Sequence, residues 1–145
     1  MSYFGGDTTH PMDVKGRLSL ASKHRKMLPD DLVLVPSPEE DFPSLWLFSE
    51  AAFEEWTERV AEDKGGLLAN SSSAQHINRE MFRKQVIVTI DSAGRILVPA
   101  NLRQYASLEK SVRVIGAGKH IEIWNEEILA KSDAFHSNHK ILDLP

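Results

Sequence analysis

The sequence predicts an α+β fold, mainly β, built from two similar halves that share one core. Three observations predict it. Residues 13–25 (DVKGRLSLASKHR) and 91–103 (DSAGRILVPANLR) align at a constant offset of 78 positions. Asp13 meets Asp91, Gly16 meets Gly94, Arg17 meets Arg95 and Arg25 meets Arg103, and Trp46 falls on Trp124 at the same offset, which marks an internal duplication. Around the second motif Val86, Val88 and Ile90, then Ile96 and Val98, alternate with the period of a half-buried strand.

Each element follows from local chemistry. In both copies an extended segment leads into an Asp-x-x-Gly-Arg hairpin turn, in which Asp caps backbone N–H groups and Gly supplies positive φ. A strand and a short helical turn follow, with Pro99 placed to start the second one and Leu102 facing inward. Then comes a hairpin, Leu32–Val35 with Leu45–Phe48 in the first copy and Ser111–Ile115 with His120–Trp124 in the second. Ser49 is placed to cap a helix whose Phe53, Trp56 and Val60 share one face. Asn125 caps a shorter equivalent carrying Ile128 and Leu129. Residues 76–84 (HINREMFRK) read as a connecting helix with Ile77 and Met81 inward.

The organisation is therefore a first repeat over residues 3–64, a linker at 65–75, a second repeat with its connecting helix at 76–133, and a polar, fraying tail at 134–145. One half has too little apolar surface to stand alone, so the two are expected to share a core. Trp46 and Trp124, equivalent positions at strand ends, are expected to pack in it.

Composition removes several classes of function. With 41% hydrophobic and 26% charged residues the chain is an ordinary globular one. It has no cysteine, hence no disulfide framework, thiolate zinc site or cysteine nucleophile. No stretch reaches the length of a spanning helix, and the N-terminus has no secretory pattern, so a cytoplasmic location is expected. Gly-x-Ser-x-Gly, P-loop and His-Glu-x-x-His motifs are missing, which argues against an enzyme. His136 and His139 form a His-x-x-His pair without an acidic or third His neighbour, so neither a metal nor a cofactor is expected.

The net charge of −4 is unevenly spread. Residues 13–26 carry Lys15, Arg17, Lys23, Arg25 and Lys26 against Asp13, a net +4; residues 79–103 carry a net +3. The acid lies in Glu39-Glu40-Asp41 and in helix 50–63. Two basic turns related by a repeat form a phosphate footprint better than scattered charge does, although a charge run is also the ordinary look of a solvated face. Whether Arg17 and Arg95 pair with Asp13 and Asp91 or project outward is open at this level, because a four-residue spacing across a turn permits both.

The segments HPMDVKGRLSLASKHR, SLWLFSEAAFEEW and VTIDSAGRILVPANLRQYASLEKSVRVIGAGKHIEIWNEE resemble the MraZ family, bacterial regulators with two AbrB-like (SpoVT–AbrB) repeats, over residues 3–132. The resemblance implies tandem AbrB-like repeats forming a swapped-hairpin β-barrel with flanking helices, and ring-like homo-oligomers. It also implies a nucleoid-associated, sequence-specific transcriptional regulator of double-stranded DNA. Such a regulator binds direct repeats in the promoter of its own operon and represses it together with the division and cell-wall genes. Arg17 and Arg95 match the motif arginines that contact DNA, with Lys15 beside the first. Arg25, Lys26 and Arg103 fall where AbrB-like repeats place further phosphate contacts. Asp13, Gly16, Asp91 and Gly94 are the structural turn residues.

The chain departs from the family pattern in three places. Its start, SYFGG, lacks a basic Phe-Arg-Gly; Ala21-Ser22 replaces Pro-Ala; and Ser92-Ala93 leaves the second turn without a lysine. The two turns are thus electrostatically unequal. The alternative reading from another class is an oligomeric protein-interaction scaffold or an antitoxin-like AbrB module.

Overall fold

The computed structural model describes residues 3–62 and 72–138. The first half contains β1 (Asp7–Pro11), β2 (Arg17–Ser19), α1 (Ser22–Arg25), β3 (Asp31–Pro36), β4 (Leu45–Ser49) and α2 (Glu50–Glu62). The second contains α3 (Ser72–Arg83), β5 (Val86–Thr89), β6 (Arg95–Leu97), α4 (Ala100–Tyr105), β7 (Ser111–Gly116), β8 (Ile121–Trp124) and α5 (Glu126–Asn138). This is an α+β fold with mostly antiparallel strands.

Strand pairing interleaves the halves. The main sheet runs β1-β7-β8-β4-β3-β5, so each half's first strand lies on the other half's hairpin. The two hairpins meet where β4 pairs with β8, Leu45 opposite Ile123. The expected closed barrel is not formed by hydrogen bonding among the described residues: β1 and β5 are the two ends of the sheet, and β2 and β6 stand apart as a ribbon. The expected hairpin turn is present at both Asp-x-x-Gly-Arg motifs, where the Asp13 and Asp91 amides donate to the Arg17 and Arg95 carbonyls at 3.1 and 2.9 Å, but it leads into little strand pairing within its own half. β1 and β2 meet only at a Met12–Leu18 bridge, whereas β2 pairs along its length with β6. That pairing sets Leu18 opposite Ile96, 0% and 1% exposed, so one apolar side chain from each half seals the inner face of the ribbon.

Two apolar clusters account for the layers. The larger joins Leu18, Leu32, Leu34 and Leu47 of the first half to Ile96, Leu102, Val114 and Ile123 of the second. The smaller lies behind β3 and β4, where Val33, Val35 and Phe48 meet Phe53 of α2 and Met81 of α3, with Ile77 partly buried beside them. β3 is thus covered on both faces, which is why its Leu-Val-Leu-Val run shows no polar alternation. Trp124 is buried, and its indole N–H donates to Glu122. Trp46 is half-buried and stacks on His120 with ring centroids 4.0 Å apart.

The helix ends follow their caps. Ser49 Oγ accepts from the Ala52 amide at 3.1 Å, and Asn125 Oδ1 accepts from the Ile128 amide at 2.9 Å. Two boundaries differ from expectation. α5 is not the shorter helix: it has 13 residues like α2 and runs to Asn138, past the point where a tail was expected. Its inner side buries Leu129 and Ser132, and His136 bonds back to the Ser132 carbonyl at 2.8 Å, so packing carries the helix onward. α3 begins at Ser72, inside the stretch read as linker; residues 65–71 and His139 lie outside the described residues.

Candidate nucleic-acid interface

The two motif turns are built alike from their aspartates. Asp13 accepts from the amides of Lys15 (3.0 Å) and Arg17 (2.8 Å) through Oδ1, while its own carbonyl accepts from Gly16 N at 3.0 Å. Asp91 repeats the pattern with Ala93 and Arg95, each at 2.9 Å, and with Gly94 N at 2.9 Å. A short acceptor whose donors lie two and four residues ahead, the first of them in Asx geometry, makes Asp suited to this position. Both carboxyls are held below the ordinary carboxylate value. The following arginine's backbone amide is the largest cause in each case, opposed by a smaller cost of burial and reinforced by that arginine's side chain.

The open question about the arginines has a geometric answer. Arg17 Nε donates to Asp13 Oδ2, and Arg95 Nε donates to Asp91 Oδ2 at 3.1 Å. These bonds use only Nε, so the terminal amino groups of each guanidinium are not needed for them. The side chains remain 40% and 36% exposed. Pairing with Asp and facing outward are therefore compatible: the carboxylate aims the guanidinium.

The ribbon brings both arginines to one face. Arg17 lies opposite Leu97 and Ser19 opposite Arg95. Strand residues alternate faces, so Arg17, Ser19, Arg95 and Leu97 point away from the buried Leu18–Ile96 pair. Arg17 and Arg95 are diagonal neighbours, a placement that sets such residues roughly 7–8 Å apart. Lys15 is exposed beside Arg17, and Val14 at the same tip is 95% exposed. Sequence reasoning missed Leu97, an apolar residue 54% exposed on this face, because its alternation partner Ile96 supplied the strand signal.

The remaining predicted residues are placed differently. Arg103, on α4, reaches across to the first turn, where its Nη1 donates to the Lys15 carbonyl at 2.6 Å and to the Val98 carbonyl at 2.8 Å. Arg25, on α1, lies over Gly94 of the second turn. Lys26, exposed at the end of α1, lines a shallow groove with Tyr3, Phe4, Met27, Ser49 and Lys119 rather than with either turn. His136 sits 3.7 Å from Glu39.

The outer face of the ribbon thus carries the two aimed arginines beside Ser19 and the exposed Leu97, over the buried Leu18–Ile96 pair. The family model for MraZ protein matches residues 3–65 and 81–135, that is, both halves. The chain is 38% identical over 124 residues to the transcriptional regulator MraZ of Micrococcus luteus, covering 86% of this chain and 82% of the relative. It is 36% identical over 122 residues to that of Mycoplasmoides gallisepticum, covering 84% and 81%. It is 35% identical over 132 residues to that of Marinobacter nauticus, covering 88% and 84%. The doubled turn, the interleaved halves and these matches together make the chain a member of the MraZ family.

Proposed function

We propose that this protein is a sequence-specific transcriptional regulator that binds double-stranded DNA through the β2–β6 ribbon. The observation that carries the reading is the placement of Arg17 and Arg95 on one outward face, each aimed by its own aspartate. The major groove of B-DNA admits a two-stranded ribbon, and arginine pairs bidentately with guanine O6 and N7. Lys15 stands where it neutralises a phosphate flanking that contact, and Lys26 serves a more distant one. Leu97 and Val14 offer apolar contacts suited to thymine methyl groups.

On this reading the regulator acts on direct repeats in the promoter of its own operon, repressing it and the division and cell-wall genes from the nucleoid. A ring-like homo-oligomer presents the ribbon repeatedly, so each contact after the first gains from a high local concentration.

The test is a titration of a fluorescent duplex carrying the chain's own upstream region against a shuffled duplex of equal length. The upstream duplex binds more tightly, and log K falls linearly with log salt concentration, with a slope of about −0.9 per neutralised phosphate. Equal binding to both duplexes, or none, favours the protein-interaction scaffold and sinks the regulator reading.

A further inference from the structure

The arginines eight residues beyond the motif arginines are engaged in a different way. Arg103 belongs to the second half, yet it grips the first turn. Its Nη1 is shared between the Lys15 carbonyl within that turn and the Val98 carbonyl of its own half. The Val98 amide in turn donates to the Gly16 carbonyl at 2.9 Å. The peptides on either side of Gly16 are therefore tied to Arg103 and Val98 of the other half, and the guanidinium covers the space where a Gly16 side chain would be. The other half mirrors this. The Leu20 amide donates to the Gly94 carbonyl at 3.0 Å, and the Arg25 side chain lies over Gly94 along its Cδ, Cζ and Nη1 atoms.

We propose that Arg103 and Arg25 are positioning residues, each holding the turn of the opposite half in the shape that aims Arg17 or Arg95, and that Arg103 acts on DNA through that turn rather than through a phosphate of its own. The inference deepens the DNA-binding reading and rests on it for its functional consequence. Its structural part is independent of DNA. A guanidinium suits the task because it is a rigid, permanently charged fork that satisfies backbone carbonyls without giving up its proton. Arg103 spends Nη1 on two carbonyls, so that nitrogen is committed to the turn. The clamps are unequal: Arg103 holds by packing and hydrogen bonds, Arg25 by packing. The more firmly held turn is the one that carries Lys15.

Two measurements test this. Affinity for the upstream duplex is determined for Arg103→Ala and Arg103→Lys, alone and with Arg17→Ala or Arg95→Ala. A positioning role predicts that Arg103→Lys, which keeps the charge but loses the fork, binds about as weakly as Arg103→Ala. It also predicts that Arg103→Ala adds less than about twofold to Arg17→Ala but multiplies with Arg95→Ala, as coupled and independent pairs do. A direct phosphate contact predicts near-normal binding by Arg103→Lys, together with equal losses in affinity and in salt slope in every background; that result overturns the proposal.

The second measurement is amide hydrogen exchange without DNA. Arg103→Ala, or Arg103→Lys if the alanine variant fails to fold, speeds exchange at residues 15–17 and spares 93–95, and Arg25→Ala does the reverse. Unchanged exchange at both turns overturns the clamp even if DNA binding is real. Altered exchange with no DNA binding by the wild type leaves the clamp standing and removes the function proposed for it.

Discussion

Gly16→Ala is the substitution that asks most of the first turn. Gly16 has φ +91°, and a Cβ there would lie 2.6 Å from the Val98 carbonyl oxygen and overlap the Arg103 guanidinium. Placing an L side chain at positive φ costs roughly 1–2 kcal/mol. Expelling Arg103 forfeits its two carbonyl bonds, each worth about 1 kcal/mol net. The sum is roughly 3–4 kcal/mol, or about 10 °C in Tm for a chain of this size. Gly118→Ala is the internal control, because Gly118 has φ +88° but nothing within 4 Å of the added Cβ. It bears only the backbone cost of roughly 1–2 kcal/mol. Thermal unfolding followed by circular dichroism at fixed protein concentration reads both. In an Arg103→Ala background the part of the excess that comes from the displaced bonds disappears, while the overlap with the Val98 carbonyl remains. Equal Tm losses for Gly16→Ala and Gly118→Ala would refute the packing argument.

Two further outcomes follow from the same geometry. Leu18→Ala and Ile96→Ala, which empty the inner face of the ribbon, each lower stability by roughly 3–5 kcal/mol in chemical denaturation, whereas Leu97→Ala on the outer face stays within about 0.5 kcal/mol; comparable losses at positions 96 and 97 would mean the faces are misassigned. Asp13 and Asp91 have folded-state pKa values depressed below the ordinary aspartate value of 3.8, so their contribution is present above that value and is lost as pH falls through the folded value. Carbon-detected NMR titration finds both midpoints below 3.8, and Arg17→Ala moves that of Asp13 back only part of the way, because the Arg17 backbone amide is the larger cause. A normal Asp13 midpoint in the wild type contradicts the capped turn.

Much of this was legible because it rests on local chemistry repeated at a fixed spacing. The 78-residue offset exposed the duplication, and the helix caps Ser49 and Asn125 are single residues whose oxygens act three positions ahead. The turn aspartates and glycines were equally plain, since backbone geometry at the turn selects them. What periodicity does not encode is which strand pairs with which. Leu18 and Ile96 each read as one inward residue after a turn, and nothing local says that they face each other across the two halves. The same limit hid the surroundings of Arg25 and Arg103. As points in a basic stretch they look like free cations, and only the interleaving of the halves brings each onto the other's turn. The end of α5 was misjudged because its polar composition resembles a tail, while Ser132 and Leu129 anchor it from one side.

The central claim is that the two motif arginines on the outward face of the ribbon make this chain a reader of DNA. Fluorescence anisotropy with the upstream duplex, on the wild type, Arg17→Ala, Arg95→Ala and the double variant, tests it most directly, with circular dichroism confirming that each remains folded. Loss of one bidentate arginine–guanine contact weakens binding by roughly 5–150-fold. The account predicts a loss of that order for each single variant, the larger for Arg17 beside Lys15, and near-complete loss of sequence preference for the double. A folded double variant that binds the upstream duplex as the wild type does, at every salt concentration, would contradict it.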